Sequence, residues 1–255
     1  MIRLLLFVLV TTLTAGCKED EPAAEAPKLE YIAKALSIEG TDTTRVSFEY
    51  NKKNQLSKIV SSPEIYSKLE YYESGELAIC DSYFSWPLDP SFKVREYLTL
   101  TYNDKNELVS GVMKRYVNNI FADKINYTYV LNDKKQVVEV VTDNAEKPGE
   151  LITYDEEGNI ASIETMGDTE AYTYNDKKSY LANSRLKYYF GADFLPVDLF
   201  NKNDITKVVY STFSLDEEQV TSEYNESSLP ISSAVSINSS GDIKEEKRVY
   251  EYVLR

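Results

Sequence analysis

The sequence holds no histidine, two cysteines and a single tryptophan in 255 residues. Without histidine the commonest general base, the Ser/His and Cys/His nucleophile pairs and the most frequent transition-metal ligand are all closed off. The two cysteines, Cys17 and Cys80, cannot build a disulfide framework. No basic cluster adjoins Cys80, which sits among apolar residues and reads as an inert buried thiol. Positive charge is also scarce: Lys and Arg number 28 against 42 Asp and Glu, a net charge of −14. Such a surface repels nucleic acid and anionic lipid. Carboxylate pairs for glycoside hydrolysis are a chemical option, but 42 acids guarantee accidental pairs and no pair is marked out by its neighbours. The acidic turns lack the alternating oxygen ligands of a Ca²⁺ loop. The expectation is a non-enzymatic protein with no cofactor, no metal and no nucleic-acid partner.

A long apolar run occurs only at the N-terminus, where Leu4 to Val10, extending to Leu13, follows Arg3 and precedes Thr14, Ala15 and Gly16. It is too short to span a membrane and reads as a signal peptide over residues 1–16. The small residues directly before Cys17 resemble the lipobox of bacterial lipoproteins, in which the cysteine becomes the lipidated first residue; Thr14 stands where Leu is usual. Lys18, Glu19, Asp20 and Glu21 resemble the lysine-plus-acidic export signal of Bacteroidota surface lipoproteins, with a solvated acidic linker as the alternative. Residues 17–28 are acidic and rich in Ala and Pro, too poor in large apolar groups to fold alone, and read as a tether. These resemblances imply a protein held at the outer membrane by its lipid alone and facing the cell exterior, with the periplasmic face as the alternative.

Residues 29–255 read as one domain, organised around a seven-residue unit plainest at Tyr102, Asn103, Asp104, Lys105, Asn106, Glu107 and Leu108. Asn or Asp opens a type I turn, and the fifth residue must accept φ > 0, which Gly and Asn do most cheaply. The first and seventh residues then face each other across two antiparallel strands. Units begin at Tyr50, Tyr71, Tyr102, Leu131, Tyr154, Tyr174, Tyr224 and Ile237, and in all but the second the next residue is Asn or Asp. Lys135, Lys178 and Ser228 occupy the φ > 0 position at a strain cost. Strands entering the turns alternate (Tyr127, Tyr129, Leu131), whereas leaving strands place apolar residues three apart (Leu56 and Ile59, Val137 and Val140), a sign of bulges or of partial cover on the second face. A first strand is expected over Tyr31 to Ile38, with a helix competing there. The result is an all-β antiparallel meander of roughly sixteen strands, curled into a half-barrel or open barrel.

The stretch Tyr154, Asp155, Glu156, Glu157, Gly158, Asn159, Ile160 resembles the Tyr-Asp repeat of RHS proteins, with Asn159 where Arg is typical. The whole arrangement is similar to uncharacterised Bacteroidota lipoproteins built from such repeats. This resemblance implies hairpin geometry and no particular activity.

Two aromatic stretches break the repeat. Residues 81–92 include Tyr83, Phe84, Trp86 and Phe92, and residues 180–204 include Tyr188, Tyr189, Phe190 and Phe194 in a short helical or irregular insert. Rings above a curved sheet stack on sugars or enclose an apolar ligand; equally, large aromatics plug a barrel end. The expected binding residues are Tyr83, Phe84, Trp86 and Phe92, with Tyr188 and Tyr189 as a wall. The expected role is a surface binding or adhesion module for a glycan or an environmental ligand. A structural envelope protein or a carrier of an apolar ligand is the alternative, and a glycan-active hydrolase ranks below these. The anchor is checked by Cys17→Ala, which should release the protein from the membrane fraction; retention there would refute it.

Overall fold

The computed structural model describes residues 28–86, 89–144, 149–191, 195–211 and 215–255. The signal peptide, Cys17 and Lys18 to Glu21 lie outside these residues, as do Phe194 and the side chain of Trp86. Sixteen strands follow one another: β1 (Glu30–Glu39), β2 (Asp42–Tyr50), β3 (Leu56–Ser62), β4 (Ile65–Tyr71), β5 (Leu77–Trp86), β6 (Asp89–Tyr102), β7 (Leu108–Val117), β8 (Ile120–Leu131), β9 (Val137–Thr142), β10 (Glu150–Tyr154), β11 (Ile160–Thr165), β12 (Asp168–Lys178), β13 (Asn203–Ser211), β14 (Leu215–Tyr224), β15 (Pro230–Ser239) and β16 (Asp242–Leu254). Each pairs antiparallel with its neighbour in sequence, and β1 pairs with β16 from Glu30↔Leu254 to Ile38↔Lys247. The sheet is thus a closed barrel, correcting the half-barrel or open barrel expected from sequence. Closure removes the two free edges that the long strands β1 and β16 would otherwise expose.

The seven-residue units form one end of this barrel. At Tyr50, Tyr71, Tyr102, Leu131, Tyr154 and Tyr224 the second residue's N–H donates to the sixth residue's carbonyl, and the fifth residue's N–H donates back to the second's carbonyl, at 2.9–3.2 Å. The fifth residues Asn54, Asn106, Lys135 and Ser228 hold φ of 56–63°, and Gly75 and Gly158 are also positive. The Asn103 side chain reinforces its loop, its Oδ1 accepting from Lys105 and Glu107 N–H at 2.9 and 3.0 Å. Asn51 and Asn225 make the same pair of bonds. We call this the Asx end. The residue after each unit is skipped in the pairing (Tyr50↔Leu56, then Glu49↔Lys58), so the three-residue apolar spacing arises from bulges.

Tyrosine at the unit's first position ties each hairpin to the one before. The Tyr71 hydroxyl donates to the Leu56 carbonyl at 2.7 Å, Tyr102 to Leu77 at 2.8 Å, Tyr154 to Val137 at 2.8 Å and Tyr174 to Ile160 at 2.6 Å. Burial pushes these phenols above their usual pKa, so they stay protonated donors. The repeat therefore encodes the turn and, through its tyrosine, the lateral bond to the preceding turn.

Two of the eight units behave differently. At Tyr174, Lys178 does not take positive φ; β12 runs on through Lys178, paired with Asn203, and the chain then turns into the barrel. At Ile237 the hairpin closes at the opposite end through a two-residue turn, Ser240 and Gly241, both at positive φ. That opposite end, the turn end, also carries Gly40 and Thr41, Asn118 and Asn119, and Met166 and Gly167 between their strands. Residues 81–92 do not interrupt the meander as expected. They form the long β5–β6 hairpin, with Tyr83↔Arg95 and Phe84↔Val94 in register, because pairing down both strands outweighs the breaking tendency of Pro87 and Pro90.

The outer wall is polar. Glu49, Lys68, Glu70, Lys114, Lys124, Glu164, Glu223, Lys247 and Glu251 are exposed on seven strands, where a membrane-spanning barrel needs a continuous apolar band. The apolar core faces inward as one cluster that includes Ile32, Leu56, Leu100, Leu108, Met113 and Ile125.

Removing the hydroxyl alone, as in Tyr71→Phe, Tyr102→Phe or Tyr154→Phe, should each lower unfolding free energy by about 1 kcal/mol, read from urea midpoints. Ser228→Gly, relieving φ 62°, should raise it by about 0.5–1 kcal/mol.

Candidate functional site

Between β12 and β13, residues 179–191 and 195–202 fold into the lumen as a plug, whose two ends are joined by Ser179 N–H to Lys202 carbonyl at 2.9 Å. Two short 3-10 helices, Ala182–Ser184 and Val197–Phe200, lie inside it, joined by Leu186 N–H to Leu199 carbonyl at 2.7 Å. Gly191 at φ 67° turns the chain between them. Leu181, Leu186, Tyr188, Tyr189, Phe190 and Leu199 are buried.

The plug is fixed to widely separated strands. Asn183 donates to the Glu30 carbonyl at 2.6 Å, and the Tyr50 hydroxyl meets Ser184 Oγ at 2.9 Å. Across the barrel, the Tyr129 hydroxyl donates to the Phe190 carbonyl at 3.2 Å and Tyr188 to the Asn106 carbonyl at 3.0 Å. Asn159, 1% exposed, accepts from Lys202 and Asn203 N–H and donates to Asp155, clamping the plug's exit to the β10–β11 tip. The position that is Arg in the typical Tyr-Asp unit thus has a structural task here.

The plug leaves two adjoining cavities that share Tyr180, Leu195 and Pro196 as a common ridge. One, of about 400 Å³, is apolar, walled by Ala35, Phe48, Ile59 and Phe84 with Ser67 and Ser82. The other, of about 430 Å³, is lined by Tyr172, Tyr210 and Tyr250 and by Glu170, Asp198, Asp204 and Glu218.

Glu150 also lines the second cavity, and its other four carboxylates meet hydroxyl donors. Tyr172 donates to Glu170, Tyr210 to Glu218 at 3.1 Å, Ser179 to Asp198 at 3.4 Å, and both Ser222 and Tyr224 to Asp204 at 2.7 Å. Arg248 also lines the cavity, but its Nε donates to Glu246 at 2.7 Å. Burial, reinforced by the Asp204 charge, pushes Asp198 up to about 7. Burial also raises Asp204, against the bonds from Tyr224 and Ser222. The lumen thus offers hydrogen-bond acceptors beside tyrosine rings, next to an apolar chamber.

The residues expected from sequence to bind are dispersed. Phe84 points inward and walls the apolar cavity. Tyr83, on the outward side of β5, also borders that cavity beside Phe84; its ring stacks on Tyr66 at 4.7 Å with the Arg95 guanidinium 5.0 Å from it, and Arg95 itself makes a forked bond to Asp81. Phe92 is 39% exposed. Tyr188 is buried toward the Asx end and Tyr189 beneath the acidic cavity. Cys80 is fully buried, its thiol pushed up to about 12 by desolvation and so unreactive. Sequence reasoning missed Glu170, Asp198, Asp204 and Glu218, although Glu170 and Glu218 stand at inward positions of alternating strands, a signal lost among 42 acids.

No protein-family model matches the sequence, and no curated protein is similar to it. Among solved structures, a porin-like protein from Bacteroides uniformis ATCC 8492 is similar at 13% identity, covering 88% of this chain and 96% of that one, with a TM-score of 0.49. A porin-like protein from Bacteroides vulgatus ATCC 8482 is similar at 9% identity over 88% and 99% of the two chains, TM-score 0.45. The crystal structure of TcdB2-TccC3-TEV shares 8% identity over 86% of this chain and 15% of its own, TM-score 0.27. At such identities no side chain carries over, and the site stands on its own geometry.

Because Asp198 binds its proton more tightly folded than unfolded, its contribution to stability is present at low pH and is lost as pH rises through about 7. The fall in melting temperature between about pH 5 and about pH 8 should therefore be smaller in Asp198→Asn than in the wild type, as scanning calorimetry would show.

Proposed function

We propose that this protein is a non-catalytic binding protein that takes an amphipathic small molecule into its lumen, with the barrel standing in water and attached to the outer membrane through Cys17. One observation carries this reading: two cavities of unlike lining meet at the ridge of Tyr180, Leu195 and Pro196. Each falls within the size range of small-molecule sites. An apolar portion of the ligand would fill the chamber of Phe48, Ile59 and Phe84, and a head group rich in N–H or O–H donors would face Glu170, Asp198, Asp204 and Glu218. The polar outer wall supports attachment by lipid and not by the barrel itself. The sequence at Lys18 to Glu21 supports display on the cell exterior.

A second reading has its own observation. The stacked Tyr66–Tyr83 pair with Arg95 on the outer wall, together with exposed Phe92, offers ring faces of the kind that stack on a glycan.

The neutral aryl amine N-phenyl-1-naphthylamine is a suitable probe. Its fluorescence should rise saturably at one probe per protein. Ala35→Trp and Ser61→Trp, which narrow the apolar chamber, should each weaken binding about tenfold or more, a loss of roughly 1.4 kcal/mol, with melting temperature retained; Phe92→Ala, outside the lining of the chamber, should not. Undiminished binding in both tryptophan variants would reject the lumenal site, and loss of binding in Phe92→Ala alone would favour the outer wall.

A further inference from the structure

A separate recess of about 330 Å³ lies at the Asx end, where the plug leaves the tips of the β8–β9 and β10–β11 hairpins. In a chain of net charge −14, its lining is basic: Lys134, Lys135, Arg185, Lys187 and Lys202 against Glu156 and Glu157. Lys135 is the one of these cations that is paired with a carboxylate among the described residues, at 2.8 Å to Glu107. Lys202 donates to the Glu157 carbonyl at 2.6 Å, and Lys187 donates to the Asn106 carbonyl at 3.3 Å with its Nζ 4.6 Å from the Tyr188 ring. These are neutral acceptors, which position the ammonium groups and leave their charge uncompensated. Arg185 faces both this recess and the neighbouring one along the plug, and desolvation alone lowers its pKa, with no carboxylate opposing it. Beneath the cations lie the rings of Tyr154, Tyr189 and Phe200, Tyr189 and Phe200 meeting edge-to-face at 5.2 Å.

Holding like charges around one recess is unfavourable in the empty protein and becomes favourable once an anion enters. Arginine's planar fork matches a carboxylate or phosphate, and lysines supply the remaining charge. The aromatic floor calls for a flat or ring-shaped body carrying that anion. We propose that the Asx-end recess is a binding site for a small ring-bearing organic anion, a carboxylate or phosphate on a sugar-sized ring, held by Arg185, Lys187 and Lys202 above Tyr189. The site opens separately from the lumenal cavities at the turn end, with the Tyr189 ring as the wall it shares with the acidic one.

Glucuronate and glucose 6-phosphate serve as probes, with glucose and inorganic phosphate as controls, in calorimetric titrations of the purified protein. One or both sugar anions should bind at least about tenfold more tightly than either control, and added salt of roughly 0.3 M should weaken that binding. The double variant Arg185→Gln/Lys187→Gln should lose about tenfold or more in affinity. Both side chains are exposed, so its melting temperature should stay near that of the wild type; Lys202→Gln offers a second variant if it does not. Arg185→Lys should retain part of the affinity. Glucose or inorganic phosphate binding as tightly as the sugar anions, affinity unchanged in both neutralising variants, or no saturation by either sugar anion below roughly 10 mM, would each overturn the assignment.

Discussion

A ring of sixteen strands encloses more space than the side chains of its own wall fill, since about eight strands already mark the size at which wall residues just meet. Much else in this molecule answers that constraint. Many of the 21 tyrosines supply long inward-reaching side chains, and hydroxyls such as those of Tyr71 and Tyr102 find main-chain acceptors. A single insertion, between β12 and β13, supplies the remaining filling. Where the filling stops, at the ridge of Tyr180, Leu195 and Pro196, the lumen opens into chambers.

The two ends of the barrel are built by different chemistry. The Asx end is assembled from side-chain-capped loops, tyrosine-to-carbonyl bonds and the anchored plug. The turn end relies on short connections at positive φ, such as Asn118 and Asn119 or Ser240 and Gly241, which add little bulk. The inward-facing Glu170 and Glu218, like the buried Glu96 and Glu150, depart from the apolar-in pattern of the wall, and such departures gather where function resides.

Much of the wall was legible because its code is local. Asn103 capping its own loop, Asn106 at positive φ and Tyr102 facing Leu108 all follow from seven consecutive residues. Closure was not legible, because β1 and β16 lie at opposite ends of the chain and nothing in either strand names its partner. The β5–β6 hairpin was misread since Trp86, Pro87 and Pro90 signal a break, while the register of Tyr83 with Arg95 is a property of the pair of strands. The acidic chamber was hidden for a similar reason: Glu170, Asp198, Asp204 and Glu218 come from four separate elements, and only the fold selects them from the other acids. Tyr188 and Tyr189 were visible as aromatics, but whether such rings face solvent or the lumen depends on the path of the plug.

The first and last strands meet at the Asx end, where Leu29 and Arg255 exchange main-chain hydrogen bonds of 3.1 and 3.0 Å. Anything that holds this protein through the residues before Leu29 therefore holds it by that end. A barrel held in this way has its plugged base nearest the point of attachment and its lumenal chambers toward the far side of the molecule.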